Sequence, residues 1–130
     1  MTSSSIRRVV HASYDATLAR VAEVLKSEGF GVLTEIDMQS TLKAKLGVDF
    51  RKYKILGACN PPLALEALTA DLEIGLMLPC NVVVYEESEG TTVVMAIDPT
   101  TTIATGENPT LVSLAETVKA KLTRALDQLS

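Results

Sequence analysis

Two short runs carry the residues with chemical potential: Cys59-Asn60-Pro61 and Pro79-Cys80-Asn81. They hold both cysteines of the chain, each followed by an asparagine and each beside a proline. A thiol just ahead of a helix N-terminus meets unpaired backbone amides and the positive end of the helix dipole, which favour the thiolate. Cys59 has that placement if Asn60 caps a helix whose first position is Pro61, where a missing N–H costs nothing. Cys80 enters an apolar strand behind a proline. Three chemistries are open to the pair. Cys59, Asn60, Cys80 and Asn81 can form one rim that binds a small molecule, with the two amides as donors and acceptors. Cys59 and Cys80 can act as a redox couple, with Cys59 the attacking thiolate. Both can instead pack as small hydrophobes, leaving a purely structural protein.

Glu35, on a strand, and Lys43, on the helix after it, extend the candidate rim with a charged wall; such pairs also occur as plain surface ion pairs. A metal is not predicted. Two thiolates do not complete a tetrahedral zinc site, and His11 is the one imidazole, with Glu35 or Asp37 as the available oxygens. Neither a Cys-x-x-Cys nor a paired-His spacing is present. Phosphate-binding glycine loops, the Gly-x-Ser-x-Gly elbow and the His-Glu-x-x-His zinc motif are also missing. No catalytic residue or cofactor is assigned.

The rim exists only if the intervening elements bring the two doublets together. A strand over Ile6–Ala12 precedes a helix capped by Asp15, with Leu18, Val21, Ala22 and Leu25 as its apolar stripe and Gly29 as its stop. Gly31–Asp37 alternates as a half-buried strand does. Asp37 caps a short helix, Met38–Leu46, that turns Leu42 and Leu46 inward and ends at Gly47. Tyr53–Cys59 is the next strand, followed by the helix that Asn60 opens, with Ala64, Ala67 and Leu68 on its apolar side. Val82–Glu86 and Thr91–Asp98 make an antiparallel hairpin. A Thr-rich polar loop, Pro99–Glu107, leads to a helix opened by Asn108-Pro109, striped by Leu111, Ala115, Val118, Leu122, Ala125 and Leu129.

This β-α-β-(α)-β-α-β-β-α order predicts one α+β domain over residues 5–130, behind a disordered segment at residues 1–4. Its sheet is largely antiparallel, with helices packed on a face. A helix of ten residues carries the chain about 15 Å outward, and an extended Leu72–Pro79 returns it by about 20 Å. If the Tyr53 and Val82 strands are antiparallel, Cys59 and Cys80 share one end of the sheet; a parallel crossover would separate them.

At 130 residues and 47% apolar content the chain is long enough and apolar enough to bury a core without disulfides. Its net charge of −4 argues against nucleic acid as a partner. No apolar run approaches the roughly 20 residues of a membrane span, and the polar start lacks a signal-peptide pattern. A cytoplasmic location with reduced thiols is expected. Val82–Val84 and Val93–Ile97 are apolar at every position, whereas a one-sided sheet alternates. A second copy of the chain, forming a homodimer, is the expected cover for the other face.

Ile55–Pro61 and Leu78–Tyr85, together with Gly31–Asp37 and Thr41–Leu46, resemble the bacterial and archaeal domain-of-unknown-function family numbered three hundred and two. The resemblance spans nearly the whole chain. It implies a curved antiparallel sheet with flanking helices, similar to one half of the TATA-box-binding protein, and a dimeric state. It implies no reaction.

Overall fold

The computed structural model describes residues 5–103 and 108–129. The expectation of disorder at residues 1–4 and the end of the Thr-rich loop at 104–107 fall outside these. The described chain forms strands β1 (Ser5–Val10), β2 (Gly31–Asp37), β3 (Tyr53–Cys59), β4 (Cys80–Ser88) and β5 (Thr91–Ile97). Helices α1 (Tyr14–Ser27), α2 (Met38–Leu46), α3 (Pro61–Ala70) and α4 (Pro109–Asp127) alternate with them. The five strands make one sheet in the order β1-β5-β4-β3-β2, antiparallel at every pairing. The α+β class and the element order are those the sequence predicts.

Helices cover one face. Cys80, Val82 and Val84 of β4 are buried there. They lie level with Ala58 and Leu56 on β3 and with Ala96 and Val94 on β5. Above them pack Val21, Val24 and Leu25 of α1 and Val118, Leu122, Ala125 and Leu126 of α4. Every residue of the predicted α4 stripe is buried. Arg8 binds Asp127 at 2.7 Å and Arg124 binds Glu28 at 3.1 Å, so ion pairs fasten α4 to β1 and to the end of α1.

Several local expectations need correction. Ser13, not Asp15, caps α1: its hydroxyl accepts from the Ala16 amide at 3.2 Å. The buried stripe also differs from the expected one: Thr17 and Val24 face the core while Ala22 is exposed. Asp37 caps α2 as predicted. Yet α2 buries no residue, and Leu46 is 69% exposed rather than turned inward. A short helix on an edge strand has no layer above it, so its amphipathic pattern finds no core. Leu72–Met77 is a 3₁₀ turn, not an extended return, and the Leu78–Pro79 peptide is cis.

Burial separates leucines that look alike in sequence. Leu126→Ala is expected to cost about 2–5 kcal/mol in urea unfolding, because it opens a cavity in the closed core. Leu46→Ala in the same titration should stay within about 0.5 kcal/mol of the parent.

Candidate functional site

The β3–β4 ladder decides where the cysteines meet. Antiparallel pairing sets Ala58 opposite Cys80 and Gly57 opposite Asn81, so both doublets stand at one end of the sheet. Cys59 lies one residue beyond the last paired position and pairs with Gly31 of β2 on its other side. The thiols are near neighbours but not cross-strand partners, and both are free. Gly57 is needed in this ladder. A Cβ there would collide with the Thr34 hydroxyl and come within 2.8 Å of Pro79 Cγ, so glycine lets Pro79 fold over β3.

Beside this end lies a partly open cavity of about 300 Å³. Phe30, Ala58 and Cys80 line it from the main core, and Leu63, Ala64 and Ala67 from α3. Leu114 and Val118 of α4 and Ile103 close it from the other side. The cavity follows a seam. Most buried residues belong to one cluster between the sheet, α1 and α4, whereas Ala67, Ile74, Ile103, Leu111, Leu114 and Ala115 form a separate, smaller cluster under α3. The two α3-facing layers do not close on each other, and the gap between them is the cavity.

Of the expected rim, Cys59, Asn60 and Cys80 line this cavity. Asn81 is exposed and, by strand alternation, belongs to the opposite face of the sheet. Asn60 holds the N-cap position of α3 but its side chain makes no cap hydrogen bond; Nδ2 donates instead to the Glu28 carbonyl at 3.3 Å. Glu35 and Lys43 do not form a shared wall. Glu35 pairs with Lys54 at 3.3 Å, and Lys43 pairs with Asp49 at 2.9 Å beyond the other end of the sheet. His11 follows β1, at the sheet edge away from β3. Among the described residues no group of three or more His, Cys, Asp or Glu is gathered as metal ligands.

Sequence reasoning missed the hydrocarbon walls. Leu114 falls off the α4 stripe and Ile103 sits in the Thr-rich loop, so nothing in periodicity ties either to the cysteines. Ala64, Ala67 and Leu68 were legible as the apolar side of α3, though not as the wall of a cavity.

The buried Cys80 thiol resists ionisation. Burial, reinforced by nearby Cys59, pushes the Cys80 thiol up to about 11 from 9.0, so it stays protonated at neutral pH. Tyr14 is likewise pushed up to about 12 from 10.0, by burial and then by the carboxylates of Asp37, Asp15, Glu35 and Glu86.

With these features in place, the molecule defines a class: an α+β domain with a five-stranded antiparallel sheet, helices on one face and an apolar cavity at the sheet's end. The model of "Domain of unknown function DUF302" matches residues 6–129, and the chain belongs to that family. A solved relative is an uncharacterized conserved DUF302 protein from Bacillus stearothermophilus. It is 35% identical over 97% of this chain and 98% of its own, with a TM-score of 0.89. No curated protein matches. Among the described residues no helix is long and apolar enough to cross a membrane.

Two outcomes test the thiol assignment. In the folded protein a water-soluble alkylating reagent should modify Cys59 and leave Cys80, which reacts only after unfolding; peptide mapping reads this directly. A raised folded-state pKa means the native chain keeps a proton that the unfolded chain releases. Stability should therefore be complete below about pH 9 and fall as pH rises toward 11. Tyr14 continues the same trend between about 10 and 12. Urea titrations across this range should lose the first fall in Cys80→Ala and keep it in Tyr14→Phe.

Proposed function

We propose that this protein is a homodimeric small-molecule-binding module whose site is the apolar cavity bounded by Cys59, Asn60 and Cys80. The supporting observation is the cavity itself: about 300 Å³ of space at the point where the two cysteine doublets converge, walled by hydrocarbon except for one amide and two thiols. An apolar cavity of about half that volume holds a benzene molecule, so ligands on the order of ten heavy atoms fit. Burying such a ligand against aliphatic walls supplies affinity without a preformed charge. The redox reading has less support, because Cys80 is held protonated and stands out of register with Cys59.

Naphthalene serves as a probe of suitable size. It should shift the amide resonances of Ala58, Ala64 and Ala67 in a heteronuclear NMR titration, and Ala64→Phe, which fills the space, should abolish those shifts. Equal shifts in the variant, or none in the parent, would remove the cavity from consideration.

The dimer rests on the sheet face without helices. Ile36, Ile55, Val83 and Met95 stand side by side across β2, β3, β4 and β5, and Arg7 ends the row on β1. In the next row Tyr53, Tyr85 and Val9 keep exposed surface while Val93 between them is already buried, and the two tyrosine rings stack at 5.7 Å. Two copies related by a two-fold axis would lay identical rows against one another, as paired sheets do. Given the strand spacing and length, this covers on the order of 1,000 Å² in total, about the threshold for a specific interface. Sedimentation equilibrium should return a dimer for the parent and a monomer for Val83→Asp, with unchanged circular dichroism.

A further inference from the structure

The cavity has a polar neighbour. Asn60 and Leu63 line both it and a second, more open cleft, which also includes Ser27, Glu28, Gly29, Pro62 and Lys121. Lys121 projects from α4 into that cleft, half-buried, and the ion pairs among the described residues do not include it. The acidic group beside it, Glu28, is already engaged: its carboxylate binds Arg124 at 3.1 Å and is only 18% exposed. One N–H of the Asn60 amide goes to the Glu28 carbonyl. The other N–H has no acceptor among the described residues, and because the side chain does not cap α3 its oxygen is left unused as well.

From this arrangement we infer that the site takes an amphiphile with a single carboxylate: an apolar body of about ten heavy atoms in the cavity, and an acid head beside Lys121 and Asn60. The inference rests on the binding reading above and adds the head group. The chemistry is complementary at both ends. None of the cavity residues is charged, so a head group placed inside would lose its hydration with no counter-ion. Placed past Asn60 and Leu63, it meets an ammonium that has no carboxylate partner among the described residues and an amide N–H, while its chain stays among leucines and alanines. Charge-assisted contacts of this kind outweigh neutral ones, though a partly solvated lysine contributes less than a buried one.

Decanoate and 1-decanol share a chain length and differ in the head. Isothermal titration should show decanoate binding about three- to tenfold more tightly than decanol at low salt. Lys121→Gln should bring the two affinities together, and Lys121→Arg should retain the difference. Raising ionic strength should weaken decanoate and leave decanol unchanged. Equal affinities in the parent, or a decanoate preference that survives in Lys121→Gln, would overturn the head-group assignment while the cavity still binds. Ala64→Phe is the control for the cavity: it should remove both ligands. If neither ligand binds the parent, or both bind Ala64→Phe undiminished, the underlying binding reading fails.

Discussion

The antiparallel register of β3 on β4 is the constraint on which the rest depends. Twenty residues separate Cys59 from Cys80, and they run through a helix and a 3₁₀ turn before the chain re-enters the sheet beside the strand it left. A right-handed crossover to a parallel neighbour would have sent the second doublet to the far end. Pairing Ala58 with Cys80 instead sets both thiols, the Asn60 amide and the start of α3 around one opening. Gly57 permits this, since a side chain there would displace Thr34 and Pro79 and break the closure over β3.

The cavity follows from how the helices divide their duties. α1 and α4 are long enough to cover the sheet, and their shared layer with β4 and β5 is closed. α3 is shorter and lies against α4 and the 3₁₀ turn, so it builds its own small core. Two cores that share α4 but not a common layer leave space between them. Hydrocarbon supplies nearly all of its surface, so water entering it finds few hydrogen-bond partners.

The two faces of the sheet differ in what they need. The helix-covered face is complete within one chain: Val82, Val84, Val94 and Ala96 are shielded almost entirely from solvent. On the other face Val83, Met95 and Ile55 are half-buried, and Val9 and Ile36 are exposed. The continuous valine runs of β4 and β5 satisfy the first demand at alternate positions; on the second face Val93 is buried as well, while Val83 and Met95 keep part of their surface. That residual surface is what the proposed dimer uses.

The sequence by itself determined the periodic and capped elements: the α4 stripe, the β2 and β3 strands, the hairpin and the Asp37 cap of α2. Each rests on interactions within a few residues, so a one-dimensional pattern contains the information. The family match extends this over nearly the whole chain. Tertiary structure decided the rest. Leu42 and Leu46 carry a helical spacing that promises burial, but α2 has no layer to face, and Leu46 remains in solvent. Asn60 has the type and position of a cap, yet Glu28, thirty-two residues earlier, claims its amide. The meeting of Phe30, Ile103 and Leu114 with the two cysteines, and the approach of Lys121 to Asn60, join segments with no shared periodicity. Contacts of that kind are set by strand order and helix packing, which no local spacing encodes.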